Sequence, residues 1–181
     1  EPEDPTRFEL ESLRADQLLH VGDARAGVDA FREIADRVDT PDQTARAKLG
    51  MVRGLRLLEA HERGLELLDE IEPFISEEEA PELRAELHYL RGSLCFPTGR
   101  LERCQREHRH SLEIARRHDL PLHEARALSG LGDAAYMAGA MSSARRYVSQ
   151  CLELADEHDY RNIAADNAPS QALREIFEAE C

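Results

Sequence analysis

The chain has 181 residues, of which 41 % are hydrophobic and 33 % charged, with aromatics at only 5 % and no tryptophan. That is the length of one domain or one repeat array, with a core that must be aliphatic and alanine-rich. The net charge of −14 argues against nucleic acid, whose phosphates an acidic body repels, and against adsorption to anionic lipid. No apolar run reaches the roughly 18 residues of a membrane span. The chain opens without Met and without an apolar leader, which reads as a piece of a longer protein. Cys95, Cys104, Cys151 and Cys181 form neither a CxxC pair nor a dense framework, so reduced thiols and a cytoplasmic location are expected.

Taken in order, the apolar spacing is helical, with matches at i, i+3, i+4 and i+7 and no alternating strand pattern. It predicts helices over about 8–21, 24–37, 42–58, 60–72, 79–96, 100–118, 121–138 and 141–158. A ninth is expected near 168–180, with Asn167 as its cap. Ala45, Ala85, Ala125 and Ala165 recur every 40 residues, and the segments around the first three align without a gap. A less regular copy precedes them, offset by 37 residues. The repeats therefore fall at about 8–38, 42–75, 79–118 and 121–160, with a C-terminal cap at about 165–181. Gly22, Gly99 and Gly139 occupy the reversal point of copies one, three and four, where a tight turn needs backbone freedom. Copy two has Glu59 there, so a different or shifted turn is expected. Thr40-Pro41, Ala80-Pro81 and Leu120-Pro121 mark helix starts, with Asp39 or Thr40 and Asp119 as candidate N-caps.

Copy four, with Leu128, Leu131, Gly132, Tyr136, Gly139, Ala144 and Val148, resembles the tetratricopeptide repeat. Copy three follows through Gly92, Gly99, Leu101, Cys104 and Leu112, and copy one through Ala15, Gly22, Gly27 and Phe31. Copy two keeps Val52, Gly64 and Leu68. The family's tryptophan and closing proline are missing, and the period of 40 exceeds the usual roughly 34 residues. The resemblance covers about 8–160. It implies an all-α, right-handed α-solenoid of about four helix-turn-helix repeats plus a C-terminal capping helix, with Ala144 facing Gly132.

Candidate chemistry is sparse. Gly130-Leu131-Gly132-Asp133-Ala134-Ala135 matches a dinucleotide fingerprint, but the strand that must precede it is absent. Cys104 and His108 have the i, i+4 spacing of a helical metal site, yet both fall at packing positions. No nucleophile has a base or elbow nearby, so no enzyme activity, metal or cofactor is expected.

Carried over from the family, the concave face takes fixed positions of each first helix. Copy one offers Glu9, Ser12, Asp16, Leu19 and His20, and copy two Arg46, Leu49, Arg53, Arg56 and Leu57. Copy three offers Glu86, Tyr89, Ser93, Phe96 and Pro97, and copy four Arg126, Ser129, Asp133, Tyr136 and Met137. Among these, Arg46, Arg53, Arg56, Tyr89, Phe96, Arg126, Asp133 and Tyr136 are the expected contacts. They form an arginine patch beside an aromatic patch, of the residue types favoured at binding hot spots. Arg53 and Arg56 could instead pair with carboxylates on the same surface. The resemblance implies a scaffold for a peptide or helix of another protein, with an acidic segment suited to the arginines. The alternative is a regulatory or sensor segment of a larger signalling or transcription-regulating protein. The stripe Ala172, Leu173, Ile176 and Phe177 is expected to cap copy four or to join two chains as a homodimer.

Overall fold

The computed structural model describes residues 5–165 and Asn167. Eight α-helices follow one another: α1 (Pro5–His20), α2 (Ala24–Ala35), α3 (Pro41–Leu57), α4 (His61–Ile71), α5 (Pro81–Cys95), α6 (Leu101–Arg117), α7 (Pro121–Met137) and α8 (Met141–Glu157). A single 3-10 turn, Glu72–Phe74, follows α4. No strand occurs among the described residues. The eight helices predicted over 8–158 are present, each within a few residues of its expected ends. The expected capping helix and its apolar stripe lie outside the described residues. What is seen of 161–167 is already helical, with the Asn167 amide donating to the Ile163 carbonyl at 2.9 Å and to Ser129 Oγ at 3.1 Å. Asn167 is therefore a buried tie to α7, and the helix it was expected to cap lies outside the described residues.

Each pair reverses through the same motif. At the first turn Asp23 N–H donates to the Leu18 carbonyl at 2.9 Å, and the equivalents at Ala60, Arg100 and Ala140 do the same at 2.9–3.2 Å. This six-to-one bond satisfies carbonyls that a helix end leaves open, and it requires a left-handed residue just before it. Gly22, Gly99 and Gly139 supply that conformation at φ 71–89°, and Glu59 adopts it at φ 57°. The turn of copy two is thus the same turn, made with a side chain that is strained there. Asp119 (φ 55°) closes α6 in this way instead of capping α7, whereas Thr40 does cap α3 by accepting from the Gln43 N–H.

The first helix of every pair touches the next first helix, α1 on α3, α3 on α5 and α5 on α7, while the second helices make no comparable row. Neighbouring pairs are therefore drawn together on the first-helix side, which makes that side the inner one. Ala45, Ala85 and Ala125 are at most 2 % exposed near the start of their helices. Small residues let the helices close. A Cβ added at Gly132 would meet Val148 Cγ2 at 2.9 Å, so Val148, more than Ala144, fills the place opposite it. The His108 ring, 2 % exposed, fits between α5 and α7. A Cβ at Gly92 or Gly130 would come within 2.7 or 2.5 Å of it. Burial pushes the His108 pKa down to about 4, although the charge of Glu107 pulls the other way.

Two predictions follow from these features. Glu59→Gly should stabilise the chain by about 1 kcal/mol, and Gly139→Ala should destabilise it similarly, because only glycine is unstrained in the left-handed region. Urea unfolding reads both, and a Glu59→Gly chain no more stable than the parent shows the turn to be unstrained. For His108, the unfolded chain takes up a proton near pH 6.5 and the folded chain only near pH 4. Its contribution is full above pH 6.5 and falls as pH drops toward 4, by about 3 kcal/mol over the whole window. His108→Leu should reduce the slope of the stability profile between pH 7.5 and about 5.5, above the range in which ordinary carboxylates take up protons. Equal slopes in both proteins would rule out this role.

Candidate partner-binding groove

On the inner side a cleft of about 630 Å³ opens between the C-terminal halves of α3, α5 and α7. Of the expected contacts, Arg56, Tyr89, Phe96 and Asp133 line it, together with Ser93, Pro97 and Ser129 from the same register. Glu59, His61, Gly130 and His108 complete the wall, and the sequence reading had not placed them there. The Tyr89 ring lies 5.7 Å from that of His108. Tyr89 and Phe96 are half-buried in the wall of the cleft, whereas His108 is buried.

The other expected contacts sit elsewhere. Arg126 stands over the Tyr89 ring, its guanidinium carbon 6.0 Å from the ring centre, a distance at which the ring quadrupole attracts the cation. Arg53 bridges three repeats, donating to Asp16 at 2.9 Å and to Glu86 at 2.6 Å while lying over Phe31. Burial works against its charge, but the two carboxylates more than offset this and raise its pKa. Arg46 is exposed and pairs with Asp42 one turn earlier. Tyr136 is 48 % exposed and Met137 62 %, at the edge of the groove beyond the cleft. Leu19 and Leu49 are 8 % and 0 % exposed, so these two family positions belong to the core and not to the groove. An aliphatic side chain gains more there than on a wet face.

Inside the cleft, charges are few. Arg56 has no ion-pair partner among the described residues, and neither has Arg126. Burial raises the Asp133 pKa. Its own surface is exposed, but it is recessed between helices, and the surrounding protein displaces the water that would stabilise the carboxylate. The Nδ1 atoms of His61 and His108 are buried without a hydrogen-bond partner. Ser93 and Ser129 are already committed, to the Tyr89 carbonyl and to Asn167.

The opposite side of the α5–α6 pair carries a second cleft, of about 720 Å³, which is almost wholly charged. Arg91, 3 % exposed, donates to Asp69 at 3.0 Å and Glu72 at 2.8 Å, and Arg84 reaches the other oxygen of Glu72 at 2.9 Å. His88 and Glu107, each 7 % exposed, share a 2.9 Å hydrogen bond. Burial raises the Glu107 pKa, but the bond from His88 and the charges of Arg91, His88 and Arg103 outweigh it, leaving the carboxyl below its usual range. No single element announces this network in the sequence, because its members come from α4, the 3-10 turn, α5 and α6. Cys95, Cys104 and Cys151 are buried free thiols, as their core spacing implied. Among the described residues no helix is long and apolar enough to cross a membrane.

Comparison with known proteins agrees with this architecture. No curated protein matches the sequence. Among solved structures, BtubC (BKLC) from P. vanneervenii superposes with a TM-score of 0.68 over 85 % of this chain at 18 % identity, a likeness of fold. The chain spans 66 % of that protein's length. Residues 83–157, from α5 to the end of α8, match the family model described as tetratricopeptide repeat. Over 83–157 the chain is similar to tetratricopeptide repeats, and its stack of helix pairs has the fold that such repeats build.

Proposed function

We propose that the chain is a protein-interaction scaffold whose inner cleft receives a short segment or helix of a partner protein. The observation that carries this reading is the lining of the cleft. Tyr89, Phe96 and Pro97 offer apolar surface beside the buried, unpaired imidazole nitrogens and Asp133. Such a lining suits one large apolar side chain against the rings, with donors of the partner's backbone reaching the exposed Asp133 carboxylate. The repeats themselves point to binding rather than catalysis.

Charge narrows the partner. Arg53 is held between Asp16 and Glu86 and Arg46 by Asp42, so neither has charge to spare. Arg56 in the cleft wall and Arg126 over the Tyr89 ring remain as the two cations suited to a partner's carboxylates. An aromatic or large aliphatic residue with an acidic neighbour fits this arrangement. A random peptide-display library tests it. Enriched peptides should carry that pattern and should lose at least about tenfold in affinity for the Arg56→Glu/Arg126→Glu chain, with weaker binding at high salt. Peptides that bind the double variant as well as the parent would move the site out of this cleft. Arg53 is left intact because its reversal would set three carboxylates together and damage the stack.

A further inference from the structure

On the side of α5 away from the groove, we infer that His88, Glu107 and His110 form a binding site for a divalent transition-metal ion, zinc foremost. One ligand atom from each of the three lies within 4.8 Å of the other two. Glu107 and His110 are three residues apart on α6 and so project from the same helix face. His88 reaches them from α5, and its Nδ1 is already 2.9 Å from Glu107 Oε2. The two imidazole rings stand with centres 5.3 Å apart, at 89° to each other. Two imidazoles sharing a tetrahedral zinc at the usual Zn–N distance of about 2.0–2.1 Å would hold their centres roughly 5 Å apart. The ring separation is compatible with such an ion, and the donor atoms, within 4.8 Å of one another, would close to the roughly 3.4 Å that tetrahedral ligands keep.

Two imidazoles and a carboxylate are a zinc-type donor set, and three protein ligands leave a fourth position open. That position faces the charged cleft of about 720 Å³, from which water or a small anion has access. The opposing feature is Arg91, whose Nη1 lies 3.8 Å from Glu107 Oε2, with Arg103 Nε 3.8 Å from Oε1. Both arginines have other carboxylates: Arg91 bonds Asp69 and Glu72, and Arg103 is 4.0 Å from Asp69. Arg84, Arg91 and Arg103 balance Asp69, Glu72 and Glu107, so the ion enters a neutral neighbourhood rather than a positive one. Its entry between His88 and Glu107 replaces the proton those two share, so uptake releases protons and weakens in acid. His108, two residues before His110, takes no part, because it points into the opposite cleft.

The test uses the full chain stripped of metal with EDTA and titrated with zinc chloride at pH 7.5 in a calorimeter. One zinc ion per chain is expected, with a rise in melting temperature and weaker uptake at pH 5.5. Cobalt substitution should give the visible absorption of a tetrahedral ion. His110 is exposed, so His110→Ala should fold as the parent does. It should lose more than the about 10–100-fold in affinity that a merely supporting outer group costs. Glu107→Gln, which keeps the shape, should bind as poorly, and Cys181→Ser should bind like the parent. A parent chain that takes up no zinc, or uptake that persists unchanged in His110→Ala, overturns the assignment.

Discussion

The close approach of helices across small residues is the constraint on which the rest of this structure depends. With few aromatics and no tryptophan, the core cannot fill wide gaps between helices, so the gaps must be narrow. Gly50 admits the Phe31 ring, Gly92 and Gly130 admit the His108 ring, and Gly132 admits Val148. In each case a large side chain of one helix lies where a Cβ of another would have been. Interiors are packed to the density of organic crystals, so these contacts set the spacing from one repeat to the next. His108 is the extreme case. It is a polar ring used as a wedge between two first helices, kept neutral by its burial, with one nitrogen left unpaired.

Once the spacing is set, charge adjusts the register. Much of the acidic excess is spread over solvated faces, but many arginines reach across repeats instead of along their own helix. Arg53 ties α1 to α5 through α3, Arg100 reaches Glu62 at 2.6 Å, and Arg117 reaches Glu77. The exposed pairs among them contribute little individually. The half-buried clamp at Arg53 is different, since loss of one partner would leave charge stranded among packed helices. It also removes from the groove a cation that the residue pattern alone would have assigned to a partner.

The two faces of α5 divide the chemistry. Tyr89, Ser93 and Phe96 look into the inner cleft, while Arg84, His88 and Arg91 look into the outer one. The same division holds on α6, where His108 points inward and Glu107 and His110 outward. A helix wedged between two clefts can serve two ligands without either touching the other. The inner surface sets Tyr89, Phe96 and Pro97 among polar and charged side chains such as Arg56, Ser93 and Asp133. The outer surface is a compensated charge network around two imidazoles, a composition that suits an ion better than a peptide.

The order and ends of the helices, their pairing and the repeat were all legible in the sequence, because they rest on local periodicity and turn chemistry that neighbours along the chain carry. Thr40 reads as a cap and Gly139 as a turn for reasons contained within a few residues. That Arg56, Tyr89, Phe96 and Asp133 share one side of the stack was legible too, and they line a common cleft, since a repeat transfers a position from one copy to the next. Where a residue's role depends on a distant partner, the sequence is silent. Glu59 takes a left-handed turn because the packing of copy two demands the same reversal as its neighbours. Leu49 leaves the groove because the core offers it more than water does. Arg53 is spent on Asp16 and Glu86, which are 37 and 33 residues away. His88 meets Glu107 and His110 only because α5 and α6 lie side by side. Periodicity says which way a side chain points from its own helix; only the packed structure says what it meets there.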